Sequence, residues 1–169
     1  MSFVSRHQMK VTVVIQVFIV FLILCFLAKI YKISPISWGL WGNVNSKNGI
    51  AVHGYDVVFY HIERKAMEGH YWLSVELNGE KWLFYSQKNL DIFKTNPNRY
   101  LPQYGGYGAY AASIGFTVDI NPEEFLIQDK KLYLFLNEDK RGLWNDQIAY
   151  GIIERANANW SKRPKIYEY

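Results

Sequence analysis

The chain has 169 residues, 50% of them hydrophobic and 17% aromatic, with a net charge of +4, a length that suits one domain plus an appendage. All of the excess charge lies in residues 1–48, where Arg6, Lys10, Lys29, Lys32 and Lys47 meet no acid, whereas residues 49–169 carry 14 basic and 15 acidic groups. That balance excludes a nucleic-acid footprint on the remainder, and the single cysteine, Cys25, excludes an internal disulfide or a thiolate zinc cluster.

Residues 1–10 form a short basic N-terminus. Residues 11–28, VTVVIQVFIVFLILCFLA, contain only Thr12 and Gln16 as clearly polar positions. As a helix they cover about 27 Å, enough to cross a hydrocarbon core. A basic start before an apolar core also describes a cleavable leader, but this core exceeds the usual ~7–15 residues and no small-residue cleavage pattern follows it. The reading is a transmembrane signal-anchor helix whose partner is the lipid bilayer. Cys25 follows Leu24, where lipid attachment would want a small residue, so it reads as a plain membrane cysteine. Lysines flank the far end as well, and charge leaves the orientation open.

Residues 29–49 read as a juxtamembrane linker, with Trp38 and Trp41 placed either at the membrane interface or on the folded domain. The domain proper is expected over residues 50–162, with a C-terminal tail at 163–169. Residues 57–63, VVFYHIE, suggest a short strand. Residues 70–86, HYWLSVELNGEKWLFYS, predict a hairpin turning at Asn78-Gly79, a pair suited to two positive φ angles. That turn sets Leu77 against Glu80, Val75 against Trp82, Leu73 against Phe84, and Glu76 against Lys81. Ser86 is placed to cap a short helix with Leu90 and Phe93 on one side, which Pro97 ends. Residues 123–137 predict a second strand pair turning near Asp129 and Lys130. Asp139 is the expected cap of a helix running to Trp160, with Trp144, Ile148, Ile152, Ala156 and Trp160 on one stripe, interrupted by Gly142 and Gly151. The fold class is α+β: a small antiparallel sheet with packed helices, preceded by one transmembrane helix.

The loop LPQYGGYGAYAASIG, residues 101–115, is the most distinctive segment. Its GYGAYA formally matches a dinucleotide fingerprint, but no strand pattern precedes it and hairpins, not a βαβ unit, follow. Ser113 lacks the glycine two residues earlier that a nucleophile elbow requires. Tyr104, Tyr107 and Tyr110 are candidates for an aromatic ligand platform. For metal, His53 and Asp56 in AVHGYD are the candidate donors, while His61 and His70 read as packing or surface residues.

Taken together, AVHGYD, the Asn78-Gly79 hairpin, Phe93, Pro97 and Tyr100, and Tyr104-Gly105-Gly106 resemble the exported branch of the YHS-domain family, over about residues 50–160. The resemblance implies a small binding domain, often attached to metal-transport ATPases or multicomponent oxygenases, with copper or zinc as the metal of its cysteine-containing members. Where relatives carry tyrosine-cysteine-alanine after the double glycine, this chain has Tyr107, Gly108 and Ala109, so the thiol is missing. The resulting expectation is a membrane-anchored, periplasmic (extracytoplasmic), non-enzymatic accessory domain, with a membrane-protein partner. The alternatives are a metal-dependent enzyme using His53 and Asp56, or a structural subunit of a membrane complex.

Overall fold

The computed structural model describes residues 3–164 and divides into two units, residues 1–33 and residues from Ser34 onward. Residues 1 and 2 of the basic N-terminus and residues 165–169 of the expected tail lie outside the described residues. The first unit is a single helix, α1 (Phe3–Ile30). Its stretch Lys10–Ile30 is long and apolar enough to cross a membrane, and none of it is buried against protein. A helix apolar on every side has no polar face to give to water.

Among its described residues the second unit carries eight strands, most of them short, around two cores. Strand β1 (Ser34–Pro35) pairs antiparallel with β6 (Phe116–Thr117). Strands β2 (Ser46–Lys47), β3 (Ile50–Ala51), β5 (Glu80–Phe84) and β4 (His70–Leu77) make a four-stranded sheet in that order, with β3 and β5 parallel. A separate hairpin joins β7 (Asn121–Gln128) to β8 (Lys131–Phe135). The architecture is α+β with small sheets rather than one continuous sheet. The expected linker is corrected by these pairings: β1 and β2 enter the sheets, and Ile36, Val44 and Asn45 are buried, so the folded unit begins at Ser34.

Both hairpins turn where their sequences place them. Asn78 and Gly79 have φ of 56° and 75°, and Asp129 and Lys130 have φ of 50° and 61°. The first hairpin pairs Leu77 with Glu80, Glu76 with Lys81 and Val75 with Trp82. Beyond Ser74 the register shifts through a bulge, so Phe84 faces His70 and not Leu73.

Residues 57–63 are a helix, α2 (Val57–Glu63), and not the expected strand. The β-branched pair Val57-Val58 mimics a strand locally, but Asp56 caps the segment: its Oδ1 accepts from Val58 N at 2.8 Å and Phe59 N at 3.0 Å. Helix α3 (Gln87–Thr95) starts on the Ser86 cap, and Pro97 opens α4 (Pro97–Tyr100) at its first turn. After α5 (Ala109–Ser113), the C-terminal stripe divides into α6 (Glu138–Asp146) and α7 (Ile152–Trp160). Asn137, not Asp139, caps α6, with Oδ1 3.0 Å from Lys140 N. Gly151 at φ 74° breaks the run between the two helices.

Strand β8 is what separates the cores. Leu132 and Leu134 point into one, with Val57, Val58, Tyr60, Trp82, Phe84 and Phe93, while Tyr133 and Phe135 point into the other, with Tyr104, Ala109, Trp144 and Ile152. A strand buried on both faces reads as a continuous apolar run, as LYLF does.

Candidate functional site

Two short turns of unusual backbone hand meet in the second unit. In the first, Val52, His53 and Gly54 have φ of 49°, 54° and 89°; in the second, Tyr104, Gly105 and Gly106 have φ of 55°, 62° and 80°. Left-handed backbone costs roughly 1–2 kcal/mol for each residue that carries a Cβ, and for a β-branched residue such as Val52 it is an outlier. Glycine serves the second turn for a further reason: a Cβ on Gly105 would lie 2.0 Å from Asn43 O. Pro102 and Gly108 bridge to Leu132 and Leu134, so the loop runs along β8.

Asn45, fully buried, joins the two turns. Its N–H donates to Gly105 O at 2.7 Å and its C=O accepts from Val52 N at 2.9 Å. Its side-chain Nδ2 donates to Gly106 O at 3.2 Å and to Asp119 Oδ1 at 2.9 Å. Asp119 Oδ1 also accepts from Ile120 N at 2.9 Å, and His53 Nε2 stands 2.9 Å away. An oxygen already serving two N–H donors is an acceptor, so Nε2 is the nitrogen that carries the proton in this contact, and a neutral imidazole then keeps its lone pair on Nδ1. The pair is neither sealed nor bare, with side-chain exposures of 18% for His53 and 21% for Asp119. Beside the junction lies a cavity of about 190 Å³ between Asn43, Asn78, Trp82, Leu101 and Gly105.

The expected pairing of His53 with Asp56 does not form. Asp56 is fully buried, and both its oxygens are committed: Oδ1 to the α2 cap, Oδ2 to Tyr85 N at 2.9 Å and Asn89 Nδ2 at 2.7 Å. Four N–H donors fill the lone pairs a metal would need. Among the described residues there is no group of three or more His, Cys, Asp or Glu side chains suited to a metal ion.

The structure packs the three tyrosines of the expected platform into or against the second core and its edge. Tyr104 and Tyr107 are core residues, their hydroxyls donating to Asn157 Oδ1 at 3.1 Å and Gly42 O at 2.9 Å. Burial pushes the Tyr107 hydroxyl up to about 12. Tyr110 packs at the edge of the second core with Lys140 Nζ 5.2 Å from its ring centre. Ser113 Oγ donates to Tyr110 O within α5 at 2.7 Å, which leaves it a helix residue.

His61 sits edge-on to Tyr100, ring centres 5.3 Å apart, and burial, with Arg64 and Arg99 adding to it, lowers its pKa to about 4. His70 stacks between Trp72 at 4.7 Å and Tyr85 at 5.6 Å on the outer face of the hairpin. Gly108, where the resemblance places a cysteine, has no room for one as packed: its Cβ would lie 2.6 Å from Val118 Cγ1.

Sequence reasoning missed Asn45 and Asp119. Asp119 carried one signal, since it is the sole charged residue in the run 103–122. Fold and site together define a small α+β domain behind an apolar helix, with one His–Asp pair held at a strained junction. Comparison with family models, curated proteins and solved structures finds no match to this chain.

Proposed function

We propose that this protein is a membrane-anchored accessory module of YHS type, exposed on the extracytoplasmic side, which binds through His53 and catalyses no reaction of its own. The observation that carries this reading is the left-handed backbone at Val52 and His53. Strain of this kind persists where the surroundings over-determine it, and it clusters at binding and active sites. Here the second turn, Asn45 and Asp119 hold the imidazole in one tautomer and one orientation.

A carboxylate on one ring nitrogen is the usual support for an imidazole whose other nitrogen binds a metal. One imidazole is one donor, however, and closed zinc sites take four. A metal at His53 is therefore shared with ligands that a membrane-protein partner supplies, and the chain alone holds no such ion tightly. The anchor reading rests on the length and apolarity of Lys10–Ile30, and the side of the membrane rests on the family resemblance.

The test is purification of the full-length chain in mild detergent from native membranes, with wild type and His53→Ala compared. The expected result is a stoichiometric membrane-protein partner that is lost in His53→Ala while the melting temperature stays within a few degrees. Copper and zinc titrations of the isolated chain should show no micromolar binding. A partner retained equally by both forms, or tight metal binding by the isolated chain, overturns the reading.

A further inference from the structure

Strands β1 and β6 are only two residues long, yet they have an inner and an outer side. Ser34 and Thr117 are buried and their hydroxyls lie 3.1 Å apart, while their neighbours Pro35 and Phe116 pair on the opposite side. The ladder continues through Ile36 N to Gly115 O at 2.9 Å. Around it the chain leaves four large apolar side chains in solvent: Trp38 at 66% exposure, Leu40 at 61%, Ile114 at 59% and Phe116 at 40%. Single exposed apolar residues are ordinary, whereas several on two hydrogen-bonded segments make a patch with a use.

Charge and tether point to the same occupant. The segments of the second unit that surround the patch, residues 34–48, 103–118 and 156–164, contain Lys47, Lys162 and Arg163 and no acid, although the chain has 15 acids in all. Lys162 Nζ bonds Asn159 Oδ1 at 3.0 Å, and Asn159 Nδ2 donates to Ala112 O and Ser113 O, which sets a cation beside Ile114. Helix α1 ends at Ile30 and β1 begins at Ser34, four peptide steps that reach at most about 14 Å. If α1 spans a bilayer, chain connectivity alone keeps Ser34, the first residue of the ladder, within that reach of the helix end.

We infer that the face carrying Trp38, Leu40, Ile114 and Phe116 docks onto the anionic headgroup layer of the membrane that holds α1. Tryptophan and other apolar side chains enter the headgroup boundary, and the basic rim faces anionic lipid. Docking of this face fixes the domain's orientation, so that His53 meets a partner in the same membrane from a set direction. The inference rests on the anchor reading, and the test separates the two.

Full-length protein is reconstituted into vesicles of neutral lipid or of neutral lipid with anionic phosphatidylglycerol. A fluorophore is placed at Cys25 in wild type, and at Leu40→Cys, Ile114→Cys or Trp72→Cys in a Cys25→Ser background. Quenching is read with nitroxides at the headgroup or deep in the acyl chain. Deep quenching at Cys25 reports the anchor. Headgroup quenching at 40 and 114 that exceeds that at 72 by about threefold, greater in anionic vesicles and reduced there by Lys162→Glu, is the result expected of interfacial docking. Quenching at 40 and 114 equal to that at 72, with Cys25 deeply quenched, overturns the docking and leaves the anchor standing. An unquenched Cys25 overturns the anchor and removes the tether argument with it. Protection at 40 and 114 that appears only as protein density rises assigns the face to a second copy, and also overturns the inference.

Discussion

His53 Nε2 lies 2.9 Å from Asp119 Oδ1, the same oxygen that accepts from Asn45 Nδ2 and Ile120 N. One carboxylate oxygen therefore orients an imidazole and ties down a junction. Asp119→Ala removes the acceptor from a buried amide and should cost about 1–3 kcal/mol, read from thermal unfolding of the full chain in detergent. His53 is the more peripheral member and sits at φ 54°. His53→Gly should therefore be more stable than His53→Ala by about 1 kcal/mol, because glycine accepts left-handed backbone freely. Equal stability of the two variants would show that the turn relaxes and stores no strain.

Gly105 and Gly79 separate backbone conformation from close approach. Both have positive φ, 62° and 75°, but a Cβ on Gly79 meets nothing within 4 Å while one on Gly105 meets Asn43 O at 2.0 Å. Gly79→Ala should cost about 1–2 kcal/mol, the conformational term alone. Gly105→Ala should cost well beyond that, about 4 kcal/mol or more, or prevent folding. Comparable melting temperatures for the two variants would contradict the tight junction.

Asp56→Asn is nearly isosteric and yet should be damaging. The amide offers only one oxygen, so its NH₂ confronts donors: either Val58 N and Phe59 N, or Tyr85 N and Asn89 Nδ2. A loss of about 2–3 kcal/mol is expected from the stranded buried donors. Since Asp56 acts as a cap and not as a ligand, partner binding per folded molecule should be unchanged, measured by co-purification at a temperature where the variant remains folded.

His61 supplies a pH dependence with a definite sign. Burial, then Arg64 and Arg99, lower its folded pKa to about 4 from an ordinary value of 6.5. Between those values the unfolded chain binds the proton and the folded chain does not, so the His61 contribution is complete above pH 6.5 and is lost as pH falls toward about 4. His61→Phe should flatten the fall in melting temperature between pH 7 and pH 4.5 relative to wild type. Parallel curves for the two proteins would place His61 in a more solvated setting.

Much of the local structure was legible because its causes are local. Asn78-Gly79 fixes a hairpin register through φ preference, Ser86 supplies an oxygen to the N–H three residues on, and an 18-residue apolar run needs no tertiary partner to be recognised. Errors fell where a neighbour outvoted the local pattern. VVFYHIE has the β-branched start of a strand, yet Asp56 caps it into a helix. The 144–160 stripe suggested one helix, and Gly151 at φ 74° divides it while both halves still bury their apolar side against the second core.

The sequence by itself determined the apolar helix, the two hairpins, the α+β class and the confinement of the excess positive charge to residues 1–48, all properties of composition, turn chemistry and short-range period. Only tertiary structure decided that His53 answers to Asp119 across 66 residues, that Asp56 is spent on a cap, and that the expected linker forms part of the fold. The physical reason is that a side chain's hydrogen-bonding partner depends on which backbones pack together. Here that packing is set by two left-handed turns and a buried asparagine whose positions no local periodicity records.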